Sequence, residues 1–258
     1  MKFQVYRSLA RGVLLESLRR KDLWVVAMLG FLIVAVAGAL GLYGTQGLES
    51  FAKDLGVSVL SGFSAILAVL TSSRLIPEEL KNKTLYPLLA RPISRFDFLV
   101  GKLSGAILAT WIAFGLLCLS TLCGLLLFGV KLDPIMLQYV LAKLMGLAML
   151  CTVTLTLSIY LTPSAAATIS FIFAFGSTIL NRAAIAAYST SPAATKPLLS
   201  FFSAVLPQYG LFDLGGRVAN IGWAPVPIWI LGALLAYAAI YSFGALALGW
   251  NGFRKRPI

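Results

Sequence analysis

Long runs of apolar residues, separated by short charged stretches, dominate the pattern of the chain. Leu23–Gly44 is 22 residues without a charge, and Leu55–Ser73 and Leu103–Val130 are uncharged runs of 19 and 28 residues. About 20 consecutive apolar residues are enough for a helix to cross the ~30 Å hydrocarbon core of a bilayer. Each run is therefore predicted to be one membrane-spanning helix.

A fourth uncharged run is too long for a single crossing. Leu144–Asn181 has 38 residues, and one helix of that length would extend about 57 Å. The stretch LTPSA, Leu161–Ala165, lies near its middle. Because proline disfavours helix at the preceding residue, we predict a tight hairpin here between two spans. The first of the two is predicted to begin near Pro134.

The last predicted span is Trp223–Trp250, with Pro225 and Pro227 in its first turn, where proline is tolerated. The pattern thus predicts an all-α membrane protein with six transmembrane helices in a single domain, residues 1–258. Residues 182–222 precede the last span and are rich in Leu, Phe and Val. Irregular backbone cannot face lipid unsatisfied, so we expect short helices there, packed on the external ends of the spans.

Composition supports the membrane interpretation. The chain is 59% hydrophobic and 12% charged, whereas soluble domains carry about 25% charged residues; its mean hydropathy is +0.91. A net charge of +12 could indicate nucleic-acid binding. The bases cluster beside the apolar runs, however, which the positive-inside rule explains better. We therefore expect membrane lipids, and no nucleic acid, as partners.

The distribution of Lys and Arg predicts the orientation. Both termini and the connection between the second and third spans carry 15 of these residues, and the other side carries 6. Basic residues accumulate on the cytoplasmic side of a membrane. Both termini, and the charged segment 74–95, are therefore predicted to be cytoplasmic.

Residues 1–22 are predicted to form a basic amphipathic helix in the cytoplasmic interface. Arg7, Arg11 and Arg19 fall opposite a broad apolar face, although Val5, Leu15 and Leu18 interrupt the pattern. The apolar face consists of Phe3, Tyr6, Leu9, Ala10, Val13 and Leu14. The alternative is a solvated basic tail.

The charged segment RLIPEELKNKTLYPLLARPISR, residues 74–95, has the signals of an ordered loop. Ser94 and Asp97 have the spacing of a capping box that starts the third spanning helix. Thr84 can cap a two-turn unit that ends at Arg91, before Pro92.

An earlier turn is predicted to open at Pro77, with Glu78 and Glu79 near its N-terminus, where the helix dipole favours anions. The segment would then present a charged rim around an apolar ridge of Leu85, Leu88 and Leu89. Such a ridge either packs on the protein's own spans or the lipid interface, or forms a contact with a soluble partner.

Residues that carry catalytic chemistry are scarce. The chain has no histidine, nine acidic residues and no G-x-x-x-x-G-K-[ST] phosphate loop. Cys118, Cys123 and Cys151 lie in apolar runs and are interpreted as packing residues. We predict no metal site and no catalytic residue. A polar set in the fourth span is expected to make helix–helix contacts rather than line a path: Thr152, Thr154, Thr156, Ser158 and Tyr160.

The stretch RLIPEELKNKTLYPLLARPISRFDFLVGK closely resembles the signature of ABC-2 type transporter permeases. Lys83 stands where that family often has glycine. ESLRRKDLW, before the first span, resembles the family's interfacial elbow helix, and LPQYGLFDLGGRVANIG resembles its C-terminal part. The signature falls on Glu79, Thr84, Leu85, Leu88, Leu89, Arg91, Pro92, Ser94, Arg95, Gly101 and Lys102.

This resemblance implies the transmembrane subunit of an ATP-binding cassette transporter, with a coupling helix between spans two and three docked on a separate ATPase. ATP and Mg²⁺ would bind to that ATPase, a second permease protomer would complete the complex, and transport would be export across a bacterial or archaeal cell (inner) membrane. The implied coupling residues are Glu78, Glu79, Lys83, Thr84, Leu85, Leu88, Leu89, Arg91, Pro92, Ser94 and Arg95.

Two other functions remain open at this point. One is a membrane-embedded assembly or scaffold protein that recruits a soluble partner. The other is a membrane enzyme that is not an ATPase. The substrate of a transporter is not predicted, since no span carries a charge at its midplane that would indicate an ion.

Overall fold

The computed structural model of the chain describes residues 2–19, 28, 31, 48–81, 94–127, 134–190, 206–219 and 225–255. Every regular element in these ranges is a helix, which confirms the all-α prediction for this part of the chain. The elements are α1 (Lys2–Arg19), α2 (Leu48–Lys81), α3 (Arg95–Leu127), α4 (Ile135–Tyr160), α5 (Pro163–Thr190), a 3₁₀ turn (Tyr209–Phe212), α6 (Gly215–Ala219) and α7 (Ile228–Lys255).

Four of these helices are long and apolar enough to cross a membrane. The candidate spans lie in α2, α3, α4 and α7, as expected of a multi-pass membrane protein, and α5 contributes a shorter apolar stretch, Pro163–Ser177. The predicted first span, Leu23–Gly44, lies outside the described residues except for Met28 and Phe31. Six spans therefore stay a prediction.

The predicted break in the long apolar run is confirmed, whereas a hairpin between two spans stays a prediction. The cap of α4 is Pro134, as expected, and the helix ends at Tyr160, where the Leu161 amide donates to the Leu157 carbonyl at 2.8 Å. Helix α5 begins at Pro163. Proline suits a first helical position because the amide that it lacks would have no intrahelical acceptor there.

Pro77 does not open a separate turn, because α2 continues through it to Lys81. A proline inside a helix removes one backbone hydrogen bond and costs about 3 kcal/mol. Here the helical turn places Ile76 in the core, fully buried, and brings Glu79 to Lys102 of α3. This tertiary packing outweighs the preference of proline for the start of a helix, on which the sequence prediction was based.

Two other boundaries differ from the prediction. Helix α5 continues past Asn181 to Thr190, so the helical part extends into the predicted external segment 182–222. Pro225 and Pro227 precede α7 instead of lying in its first turn, and the Ile230 amide donates to the Pro227 carbonyl at 3.0 Å. The short helices expected in the external segment are present within 206–219.

Helix α1 packs its apolar face on α3. Leu9 and Val13 are buried over Gly101 and Gly105, and a Cβ added to Gly105 would lie 2.8 Å from the Val13 Cβ. Two glycines four residues apart let helices approach closely. A helix over Lys2–Arg19 is thus confirmed, whereas its amphipathic face as a whole and its position in a membrane interface remain predictions.

The bundle has two ends with different contents. At the first, the α1 end, α1 lies with the end of α2, the start of α3 and the end of α7, where the Phe98 and Phe253 rings stack at 6.2 Å. At the second, the Lys143 end, residues 206–219 cover α2 and α4. The N-terminal helix, the end of α7 and both flanks of segment 82–93 therefore share one end. Which side of a membrane it faces stays a prediction.

Candidate functional site

The structure describes only the flanks of the predicted coupling segment. Glu78 and Glu79 lie in the last turn of α2, and Ser94 and Arg95 lie at the start of α3. The remaining predicted residues lie outside the described part of the chain: Lys83, Thr84, Leu85, Leu88, Leu89, Arg91 and Pro92.

The flank before this segment is held by a buried ion pair. The Lys102 ammonium of α3 contacts the Glu79 carboxylate of α2, with side-chain exposures of only 7% and 17%. The ammonium also lies 5.9 Å from the centroid of the Phe98 ring. Glu79, predicted as a coupling residue, therefore makes a contact inside the chain that joins the last turn of α2 to α3.

The flank after the segment is fixed by the predicted capping box. The Asp97 amide donates to the Ser94 hydroxyl oxygen at 3.1 Å, and that hydroxyl donates to the Asp97 carboxylate at 2.6 Å. The Arg95 guanidinium donates to the Arg254 carbonyl at 3.3 Å. The end of α7 is thus tied to the beginning of α3.

A second cluster surrounds Lys143, inside the candidate span of α4. Its side chain is fully buried, and its ammonium donates to the Ser61 hydroxyl of α2. The ammonium lies 3.6 Å from the Asp213 carboxylate and 4.8 Å from the centroid of the Tyr209 ring. A buried charge of this kind needs a counter-ion and hydrogen-bond partners, and three elements supply them.

Asp213 reaches this cluster from the stretch between the 3₁₀ turn and α6. Its carboxylate accepts hydrogen bonds from the Ser61 hydroxyl at 3.1 Å and from the Gly215 amide at 3.0 Å. An aspartate that bonds the amide two residues on is a common turn signal. A Cβ on Gly215 would lie 2.7 Å from the Val57 side chain, so the turn requires glycine at this place.

The stretch that carries Asp213 is seated on the helices around it. Phe212 is fully buried against Gly146 of α4, where a Cβ would lie 2.8 Å from the Phe212 Cβ. The Gly210 amide donates to the Ser177 hydroxyl of α5 at 2.9 Å, and the Gln208 amide donates to the Tyr237 hydroxyl of α7 at 3.0 Å. Three helices therefore hold this stretch in place.

Tyr209 has a buried hydroxyl with no hydrogen-bond partner among the residues that the structure describes. Burial, and after it the negative charge of Asp213, raises the pKa of Tyr209. The group therefore remains a neutral donor at ordinary pH.

The Lys143 cluster was missed from the sequence. Lys143 was counted among the six basic residues on the side opposite the termini, and no charge at the midplane of a span was predicted. Helix α4 begins at Ile135, which puts Lys143 about two turns into the helix. The proline at 134 was the available signal, since a start there already places Lys143 within the span.

Two of the five polar residues predicted to make helix–helix contacts from α4 donate a hydrogen bond to another helix, and the Thr154 hydroxyl has no partner among the described residues. Thr156 donates to the Ala245 carbonyl at 2.9 Å and Tyr160 to the Leu248 carbonyl at 2.6 Å, so both contact α7. Thr152 and Ser158 bond carbonyls of their own helix.

All three cysteines are free thiols. In the described ranges, no three His, Cys, Asp or Glu side chains are grouped to hold a metal.

These features define an all-helical protein with several candidate membrane spans and charged pairs inside its bundle. The chain belongs to the family DUF2705, which is described as a protein of unknown function and whose model matches residues 29–258. No curated protein matches the chain.

The resemblance to ABC-2 type permeases was wrong as a family assignment. The matching family model is DUF2705, and no ABC-2 permease family matches. The resemblance depended on a short charged stretch followed by a capped spanning helix. Because capping signals, prolines and flanking bases recur wherever a loop enters a membrane helix, this pattern discriminates poorly between families.

Proposed function

We propose that the chain is the membrane-spanning subunit of an exporter whose energy comes from a separate ATPase chain of the ATP-binding cassette type. ATP and Mg²⁺ bind to that ATPase. Two copies of the chain, or one copy and a related subunit, form the membrane part of the complex. Its location is the cell (inner) membrane of a bacterium or archaeon.

The observation that carries this proposal is the bracing of segment 82–93 on both flanks. Before it, Glu79 pairs with Lys102. After it, Ser94 caps α3, and Arg95 joins the Arg254 carbonyl. Both flanks are therefore attached to α3.

Such bracing suits a segment that receives force from a soluble partner. A connection that only turned the chain between two spans would need no buried ion pair at its flank, and burying two charges costs several kcal/mol per ion before pairing offsets it. With Glu79 and Lys102 paired, a displacement of the segment moves α2 and α3 together. The interpretation of its Leu85, Leu88 and Leu89 ridge as the docking surface remains a prediction from the sequence.

The first test is assembly. The chain is purified in mild detergent with the candidate ATPase, and Leu88→Asp is compared with the unaltered chain. Losing a central apolar anchor costs about 2 kcal/mol or more, which is about a thirty-fold loss of affinity. Unchanged binding by Leu88→Asp would show that the ridge is not the docking surface.

The second test is coupling, measured as the ATPase rate of the complex in lipid nanodiscs. Glu79→Gln keeps the side-chain shape but removes the charge that holds Lys102, so the complex is expected to assemble with a reduced rate and reduced transport. The matched control is Asp54→Asn, because Asp54 is an exposed acid near the other end of α2. Its complex is expected to have the wild-type ATPase rate and transport. ATP hydrolysis by the purified chain alone would contradict the proposal, and a soluble partner without ATPase activity would favour the scaffold alternative.

Orientation is tested by thiol labelling in cells. Cysteines placed at Gln46 or Ala194 are expected to react with an impermeant reagent from outside, and a cysteine at Asn82 is expected not to react. The reverse pattern would put segment 82–93 on the side without ATP and would exclude an ATPase partner there.

A further inference from the structure

Lys143 is a fully buried ammonium within an apolar span, and its counter-ion is not equally buried. The Asp213 side chain is 40% exposed, whereas that of Lys143 is 0% exposed. Ionisable residues inside membrane helices are costly and commonly mark sites for ligands or ions. The exposed side of this pair is therefore the Asp213 side.

The Asp213 carboxylate can leave this place without unfolding its surroundings. The backbone on either side is anchored, because Phe212 and Val218 are buried. The ammonium and the carboxylate are 3.6 Å apart, which is longer than a charge-assisted hydrogen bond of about 2.7–2.9 Å. A rotation of this partly exposed side chain, which breaks its hydrogen bonds with Ser61 and Gly215, would uncover the ammonium and the Ser61 hydroxyl.

Tyr209 supplies an independent indication of a ligand. Tyr209 is only 3% exposed, and its buried hydroxyl has no hydrogen-bond partner among the described residues. Leaving a buried donor without an acceptor is unfavourable. Its ring lies 4.8 Å from the same ammonium, so a residue with an unpaired donor belongs to this cluster.

We propose that Lys143, Ser61 and Tyr209 form a binding site for the carboxylate group of a small solute, and that Asp213 occupies this site in the ligand-free chain. One ammonium balances one monoanion, whereas a phosphate dianion would bring an uncompensated negative charge into an apolar span. The hydroxyls of Ser61 and Tyr209 are donors suited to carboxylate oxygens. The site is independent of the ATPase proposed above, since binding is measured on this chain alone.

The test is chemical rescue with acetate on the purified full chain in detergent. Asp213→Ala removes the internal carboxylate and opens a space for acetate beside Lys143. At constant ionic strength, with chloride as the balancing anion, acetate at about tenfold its Kd is expected to raise the Tm of this variant by about 3–6 °C. Inorganic phosphate is expected to give less.

Two controls make each outcome decisive. The double variant Lys143→Met/Asp213→Ala lacks the ammonium, so acetate is expected to raise its Tm no more than chloride does. The proposal would be overturned if acetate raised the Tm of the double variant as much as that of Asp213→Ala, or did not raise the Tm of Asp213→Ala at all. Should Asp213→Ala not fold even in acetate, Asp213→Asn serves instead, because it keeps the side-chain shape and an acceptor for the Gly215 amide but removes the carboxylate charge. Acetate is expected to stabilise Asp213→Asn more than the wild type, and equal behaviour of the two would overturn the proposal.

Discussion

The two ends of the bundle each contain a buried lysine paired with an acid, but the pairs are built differently. At the α1 end, Lys102 and Glu79 both belong to long helices and are both nearly buried. At the Lys143 end, the acid belongs to a short irregular stretch and is partly exposed. The first arrangement fixes two helices to each other, whereas the second leaves the counter-ion replaceable.

Each end also has an accessory element seated over glycine. Helix α1 lies on Gly101 and Gly105, and the 3₁₀ turn lies on Gly146 through Phe212. Close packing over glycine is therefore common to both ends. What distinguishes them is the exposure of the acid, and on this difference we base the proposals of mechanical coupling at one end and ligand binding at the other.

The largest expected effect is the loss of the buried acid at the α1 end. Glu79→Ala leaves the Lys102 ammonium buried without its carboxylate, and breaking such a pair costs about 3–5 kcal/mol. Thermal unfolding in detergent measures the loss, and Lys102→Met added to Glu79→Ala is expected to recover most of it. Asp213→Ala is expected to cost less, because the Lys143 ammonium keeps the Ser61 hydroxyl and the Tyr209 ring as partners. An equal loss at both ends would remove the distinction between them.

The next effect tests how α1 is seated. Gly105→Leu places a side chain against Val13 and the Ala10 backbone, and overpacking of this kind costs about 1–3 kcal/mol. Limited proteolysis should then release α1. Gly115→Leu on the same helix is the matched control, because a Cβ there has nothing within 4 Å. If both variants retain α1 equally, its contact with α3 is not held by the glycines.

Local signals predicted the helices well and the ion pairs not at all. The uncharged runs predicted the candidate spans in α2, α3 and α4. Pro163 marked the start of α5, and Ser94 with Asp97 marked the start of α3, because each of these signals acts within a few residues. Helix α2 is longer than the apolar run Leu55–Ser73 that predicted it, because tertiary packing stabilises the helix beyond Pro77. Lys143 and Asp213 are far apart in the chain, and nothing in either neighbourhood indicates that they meet.

A smaller effect is expected at the seat of the 3₁₀ turn. Gly146→Ala adds a methyl group that overlaps Phe212 at both Cβ and Cγ, within 2.9 Å, so the turn must shift, at a cost of about 1 kcal/mol. A cysteine at Asp213 is expected to react faster with a thiol reagent in this background. The control is Gly244→Ala on α7, which meets nothing within 4 Å. Equal labelling rates in the two backgrounds would mean that Phe212 does not position the stretch.

The smallest effect concerns the unused donor at the Lys143 end. Burial raises the pKa of Tyr209, so above about pH 10, the ordinary value for tyrosine, the unfolded chain loses this proton while the folded chain keeps it. Stability is therefore lost as pH rises beyond 10, by about 1.4 kcal/mol per pH unit. In thermal unfolding, Tyr209→Phe should reduce this loss of stability at alkaline pH. At neutral pH the substitution should leave the stability unchanged or raise it by about 1 kcal/mol, because the removed hydroxyl lacks a partner. Destabilisation at neutral pH would show that the hydroxyl already has an acceptor, and the Lys143 end would then be as closed as the α1 end.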